Sequence, residues 1–200
     1  EGWLPFEREI SSLVARSTTG EIHCFPVVEN VHEAGILASS LVPARISEDL
    51  NRKALNITTQ IAQGLKLHGM LAIEMFVMPD GQLLVNELAP RPHNSGHYTQ
   101  DGTNVCQFEQ HLRAICGWPL REPKLHSPTV MLNLLGEHIS ALQAWHLGLP
   151  AEAHLHWYGK AEARPGRKMA HLNLCAASLD EALEELEKWK LRSPPKGIYT

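Results

Sequence analysis

Two strand-like runs, 70–78 (MLAIEMFVM) and 82–88 (QLLVNEL), meet at Pro79-Asp80-Gly81, and this junction constrains the chain more than any other feature. Asp-Gly is a preferred two-residue hairpin loop. With that loop, opposed positions add up in one way only: Pro79 faces Gln82, Phe76 faces Val85, and Glu74 faces Glu87. The spacing therefore predicts two carboxylates side by side on one face, among Phe76, Met78, Leu83 and Val85. A four-residue loop would keep that pairing, and a three-residue loop would break it. Opposed like charges beside apolar neighbours destabilise a sheet unless something neutralises them. Protonation, an intervening basic side chain and a bridging hard cation are the three ways out. The cation reading suits Mg²⁺, which takes carboxylate oxygens together with a phosphate-bearing ligand. Asn86 adds an amide oxygen; the bland reading is a solvated pair at a strand end.

The chain leaves Glu87 through Leu-Ala-Pro-Arg-Pro-His-Asn-Ser-Gly-His97. Pro90 and Pro92 stiffen this loop. It carries Arg91, His93, Asn94 and Ser95 within five positions. Arg91 offers a planar fork for phosphate or carboxylate, and Asn94-Ser95-Gly96 can present backbone N–H groups to an anion. A rigid polar loop beside paired carboxylates is a candidate active site. A tight structural turn is the alternative.

The rest alternates strands and helices. Strands are expected at 7–16, 21–28, 36–42, 128–135, 153–158 and 169–175. Ser47 caps a helix striped by Leu50, Ala54, Ile57, Ile61 and Leu65. A helix is expected over 104–116 with Val105, Phe108, Leu112 and Ile115 on one side, and another over 138–146. Ser178 with Glu181 makes a capping box for a last helix, 178–190. Prolines near 118–128 place a boundary between 1–120 and a smaller lobe, 121–192, with 193–200 as a tail.

Composition narrows the function. The 18 Lys+Arg and 22 Asp+Glu leave a net charge of −4, which argues against a dedicated nucleic-acid surface. No run of about 18 apolar residues is present, so no membrane helix is expected. No signal peptide is visible, and four scattered cysteines without a C-x-x-C pair suit reduced thiols in the cytoplasm. Most of the 12 histidines read as surface or core residues; His154 and His156 alternate on one strand but lack a third metal ligand at usual spacing. Glu1-Gly2-Trp3 reads as a start in mid-fold.

The runs VNELAPRPHNSGHYT (85–99) and QFEQHLRAICGWPL (107–120) resemble 5-(carboxyamino)imidazole ribonucleotide synthase, a family of the ATP-grasp superfamily. FEREIS (6–11), FPVVENVHEAGIL (25–37), GMLAIEMFV (69–77), VMLNLLG (130–136) and HLHWYGKAEARPGRKMAHLNL (154–174) agree in order. The resemblance implies an α+β fold: an ATP-grasp large subdomain, an antiparallel sheet with packed helices, plus a small β-rich C-terminal lobe. The family's N-terminal doubly wound domain and most of the small ATP-grasp subdomain are missing from these 200 residues.

It further implies ATP- and Mg²⁺-dependent carboxylation of 5-aminoimidazole ribonucleotide with bicarbonate, through carboxyphosphate, in purine biosynthesis. Glu74 and Glu87 match the metal-binding glutamates, and Asn86 with Glu87 the pair at the nucleotide phosphates. Glu1 and Leu4 match the adenine contacts, Glu9 the ribose acid, and His32 a nucleotide-site histidine. Arg91, His93, Asn94 and Ser95 match the loop facing bicarbonate and the aminoimidazole. Lys160 and Arg167, with Lys168 beside them, match the cations for the ribonucleotide phosphate. Ala170 replaces a usual glycine, and its methyl is expected to hinder backbone approach there. A homodimer completed by the missing N-terminal half is implied, and the 200 residues alone are expected to be inactive. A folded, non-catalytic fragment and another ATP-grasp carboxylase are the competing readings.

Overall fold

A computed structural model describes residues 4–140 and 149–192, with the side chains of 189–192 excepted. Glu1, the tail 193–200 and most of the helix expected at 138–146 lie outside the described residues. Among the described residues, nine strands form one sheet in which every pairing is antiparallel. They are β1 (Arg8–Arg16), β2 (Ile22–Cys24), β3 (Val28–Glu33), β4 (Ile36–Val42), β5 (Gly69–Val77), β6 (Leu83–Ala89), β7 (Thr129–Leu135), β8 (Ala153–Trp157) and β9 (Lys168–Cys175). Their order is β6-β5-β1-β3-β4-β7-β9-β8, with β2 also on β1. The single strand expected at 21–28 is two, because Phe25-Pro26-Val27 interrupts the ladder between β2 and β3.

Among the described residues, four α-helices accompany the sheet: α1 (Glu48–Gly64), α2 (Thr99–Gly102), α3 (Gln107–Ile115) and α4 (Leu179–Arg192). Ser47 caps α1 by accepting the Leu50 N–H at 3.3 Å. Ser178 accepts the Glu181 N–H at 3.1 Å, while the Glu181 carboxylate accepts from Ala177, one residue before the cap. On one face of the sheet, α1 covers Ile10, Val14, Leu71, Ile73 and Met75. α4 covers Val130, Leu132, Leu134 and Leu172. Each such side chain contributes about 1.5–3 kcal/mol by leaving water. On the opposite face, the segment running through α2 and α3 buries Leu13, Met70 and Met131 beneath Tyr98, Val105 and Ala114. No helix among the described residues is long and apolar enough to cross a membrane.

α3 begins at Gln107, later than expected, and turns a different side inward. Gln107, Gln110 and Ala114 are buried, whereas Phe108, Leu112 and Ile115 are 40%, 54% and 45% exposed. The glutamines go inside because each braces a loop. Gln107 accepts the His93 N–H and donates to the His93 carbonyl, both at 2.8 Å. Gln110 does the same for Arg121, at 3.2 and 2.5 Å.

Candidate active site

The β5–β6 hairpin pairs Glu74 with Glu87, as the loop arithmetic expects, but by a different route. The loop has three residues, with Met78 N–H donating to the Gln82 carbonyl at 2.9 Å and Gly81 at a φ of +78°. A glycine in this region closes such loops without steric strain. The extra loop residue shifts the register, so Phe76 faces Leu84 rather than Val85. Asn86 then inserts as a β-bulge and shifts it back before Glu87. Val85 consequently faces Met75, off the carboxylate face, which was not the expected arrangement.

The register of the neighbouring strands completes an acidic wall. Glu9 pairs with Phe76, and Ser11 pairs with Glu74. Opposed residues share a face, so Glu9, Glu74 and Glu87 lie together. His32 Nδ1 is 2.9 Å from the Glu9 carboxylate. The ligating atoms of Glu9, His32 and Glu74 all lie within 4.8 Å of one another. The Glu9 carboxylate holds the His32 imidazole above its ordinary range. Burial, and then the charges of Glu9 and Glu87, push the Glu74 carboxyl up. The carboxylate oxygens of Glu74 and Glu87 with the Asn86 amide are hard donors, and the like-charge repulsion felt by Glu74 is what a divalent cation relieves. The residues therefore fit Mg²⁺.

The loop after Glu87 folds back over this wall. His93 Nε2 sits 3.4 Å from Glu74, and burial, reinforced by the Arg91 charge, lowers its pKa to about 4. Ser95 is fully buried beneath the loop and accepts a hydrogen bond from Ser11 at 2.7 Å. Further on, the His97 ring stacks on His171 of β9 at 4.4 Å, and His171 stacks on His156 of β8 at 4.5 Å. Tyr158 meets His171 Nδ1 at 2.7 Å, and Asp101 meets His156 at 2.7 Å. Asp101 is the partner that spacing could not supply for His154 and His156, and it ties β8 to the loop by hydrogen bonding.

A basic turn closes the opposite side. Lys160 donates to the Lys168 carbonyl at 2.5 Å. Burial, followed by the Arg91 charge, lowers the pKa of the Lys168 amine. Gly166 N–H donates to Glu137 at 2.8 Å, and a Cβ on Gly136 would stand 2.1 Å from the Arg164 carbonyl oxygen. Glu137 and Gly136 thus seat the turn, as Gln107 seats the loop; the sequence reading named none of the three.

One cleft of about 710 Å³ is lined by Glu9, His32, Glu74, Asn86, Glu87, Arg91, His93, Asn94, Lys160 and Lys168. Ser95 supports it from below. Leu4 and Arg167 do not line it: Leu4 is exposed, and the Arg167 guanidinium donates to the Glu162 carbonyl at 3.0 Å. The Ala170 methyl belongs to the core under α4, on the sheet face away from the cleft.

The ATP-grasp domain pattern matches residues 1–108, more than half of the 200 residues. The chain belongs to the ATP-grasp family. Residues 129–185 of this ATP-grasp chain match the phosphoribosylaminoimidazole carboxylase C-terminal domain. The N5-carboxyaminoimidazole ribonucleotide synthase of Bacillus subtilis (strain 168) is 47% identical over 193 residues, covering 96% of this chain and 50% of that protein. A crystal structure of an N5-carboxyaminoimidazole ribonucleotide synthetase in complex with ADP superimposes with a TM-score of 0.92 at 49% identity, over 96% of this chain and 51% of that one. The Aspergillus clavatus enzyme, crystallised with ADP and 5-aminoimidazole ribonucleotide, gives a TM-score of 0.88 at 33% identity, over 96% and 52%. The ATP-grasp chain spans about half the length of the curated relatives it matches.

Proposed function

We propose that this chain supplies the metal- and phosphate-binding half of a ligase that uses ATP and Mg²⁺ to carboxylate 5-aminoimidazole ribonucleotide with bicarbonate in purine biosynthesis. The observation that carries this reading is the pairing of opposite needs across one cleft. Burial and the charges of Glu9 and Glu87 push the Glu74 carboxyl up, and burial with the charges of Arg91 and Lys160 pushes the Lys168 amine down, although each of the two partly offsets the other. A magnesium nucleotide together with a phosphate-bearing substrate meets both needs at once.

In this reading Glu74 and Glu87 hold Mg²⁺, which offsets phosphate charge when bound. Asn86 and Glu87 stand at the nucleotide phosphates, Glu9 and His32 at the nucleoside, and Glu1 and Leu4 at adenine. Arg91, His93 and Asn94 face bicarbonate and the carboxyphosphate made from it, with Ser95 beneath. Lys160 and Lys168, with Arg167 at the rim, hold the ribonucleotide phosphate. We assign 1–120 and 121–192 as two units sharing one sheet, completed by the half that the relatives have in addition. A homodimer is supported by the exposed apolar side of α3 with Trp118, and a cytoplasmic site by four unpaired cysteines.

The deciding experiment measures ADP release by the complete protein. It should require bicarbonate, Mg²⁺ and 5-aminoimidazole ribonucleotide together, and the 200 residues alone should release little. Release driven by a different amine substrate would assign the chain to another ATP-grasp carboxylase. Comparable turnover by the 200 residues alone would refute the half-site reading.

A further inference from the structure

Beneath the loop, a row of buried polar side chains runs from the middle of the sheet to the cleft. Ser40 of β4 donates to Asn30 Oδ1 at 2.9 Å. Asn30 Nδ2 donates to Ser11 Oγ at 3.0 Å. Ser11 donates to Ser95 Oγ at 2.7 Å, and Ser95 Oγ meets His93 Nδ1 at 2.9 Å. Ser11, Ser40 and Ser95 are fully buried, and Asn30 is 5% exposed. Buried hydroxyls in an apolar sheet are costly unless satisfied, and here each has a partner in the row.

Such a row has two self-consistent polarities. Hydroxyls rotate and an amide can turn over, so the row by itself could run either way. The ambiguity ends at the loop. The Ser95 backbone N–H also points at His93 Nδ1, at 3.4 Å. A backbone N–H only donates, so Nδ1 must accept. The Ser95 hydroxyl then donates to Nδ1, accepts from Ser11, and so on back to Ser40. An imidazole whose Nδ1 accepts, as in His93, carries a single proton and is neutral. Its one proton is therefore on Nε2, which faces Glu74 at 3.4 Å. Gln107 fixes the His93 backbone at both its N–H and its carbonyl, so the ring cannot turn with the loop.

We propose that Ser40, Asn30, Ser11 and Ser95 are positioning residues: a one-way hydrogen-bond relay that, together with the Ser95 backbone N–H, holds His93 as the Nε2–H tautomer. The His93 edge in the cleft is then a proton donor and not a base. It faces Glu74 at 3.4 Å and, in the cleft reading given above, donates to an oxygen of the incoming bicarbonate or phosphate. Removal of a substrate proton falls to another group. Ser95, matched by resemblance to the bicarbonate-facing loop, acts on the reaction through His93.

The test uses the complete protein labelled with ¹⁵N-histidine, with the His93 signals assigned by their loss in His93→Gln. The wild type should show Nδ1 unprotonated and Nε2 protonated at neutral pH. Both alanine variants keep the 3.4 Å backbone contact, but Ser95→Ala loses the 2.9 Å hydroxyl and Ser11→Ala unties it, so each should admit a share of the Nδ1–H tautomer and lower kcat about tenfold, the weight of one buried hydrogen bond, with KM for the ribonucleotide nearly unchanged. Ser11→Thr keeps the donor and should retain the wild-type spectrum, which separates loss of the relay from loss of packing. A wild-type spectrum with the proton on Nδ1 overturns the proposal, as does an unaltered spectrum in both alanine variants. The spectrum needs no substrate. Absence of ribonucleotide-dependent turnover in the wild type would therefore refute the functional reading and leave the tautomer result to stand or fall separately.

Discussion

The two sides of the cleft are built by different means. Glu9, Glu74 and Glu87 project from three adjacent strands, and their spacing follows from ladder register alone. Lys160 and Lys168 flank a turn between β8 and β9, and their spacing depends on what that turn rests against. The acidic side is thus fixed by the backbone hydrogen bonds of the ladder. The basic side depends also on how Gly136 and Glu137 receive the turn. A site for a metal nucleotide wants the first kind of rigidity, since a hard cation tolerates little displacement of its oxygens. A site for a flexible phosphate ester can use the second.

The sharpest way to break the acidic side is Glu87→Gln in the complete protein. Glu87 is exposed on the edge strand, so the fold should survive. Removing one charge should lower Mg²⁺-dependent ADP release by at least about a hundredfold. Unchanged turnover at saturating Mg²⁺ would mean that the paired carboxylates are a strand-end coincidence.

The basic side can be broken with or without removing charge. Lys160→Ala should raise KM for the ribonucleotide by about tenfold or more, the weight of a charge-assisted hydrogen bond. Gly136→Ala removes no charge, but its methyl would meet the Arg164 carbonyl at 2.1 Å and push the turn away. It should raise the same KM about as much and leave KM for ATP alone. An effect of either variant confined to ATP would place the turn at the nucleotide instead.

His93 of the cleft and the stacked His97 and His171 predict how the fold responds to acid. Burial lowers His93 and His97 to about 4 and His171 to about 2. Unfolded, these imidazoles take protons near their model value of 6.5. As pH falls below that value the unfolded state binds more protons, so stability falls. Each group removes at most about 1.4 kcal/mol per pH unit until its own folded pKa is reached. His32, raised by Glu9, works in the opposite direction, but its stabilisation is gained as pH falls towards 6.5 and is complete there, so it does not offset the loss below. Thermal unfolding should therefore drop steeply between pH 6.5 and 4, and His171→Phe should flatten the drop by about a third. Equal slopes would show that the stack is not buried as a neutral unit.

The same contrast explains what could be read in advance. Strand periodicity placed Glu74 against Glu87, although the loop has three residues where two were expected; Asn86 cancels the difference, and no local signal announces a compensating bulge. Ser47 and Ser178 marked their helices because capping is a local interaction. Gln107, Gly136 and Glu137 gave no signal, since each acts on a segment distant in sequence. The apolar positions of α3 misled for a related reason: amide side chains took the inner side to satisfy two loops, which left Phe108, Leu112 and Ile115 outside.

Ala170 gives the finest test of where the basic side ends. By resemblance it replaces a glycine two residues after Lys168, where an added methyl is expected to hinder backbone approach. Ala170 instead pairs with Leu134 and Trp157 and is fully buried in the cluster that contains Leu172 and Ala182. Strict alternation along β9 would put Lys168 and Ala170 on one face, but the ladder slips between Leu134 and Leu135 and sends them to opposite ones. Ala170→Gly should accordingly cost about 1–2 kcal/mol of stability, from a lost buried methyl and a freer unfolded chain. The KM for the ribonucleotide should stay within about twofold, since the change reaches no group in the cleft. A lower KM with unchanged stability would put the methyl at the phosphate after all, and would move the boundary of the site across the sheet.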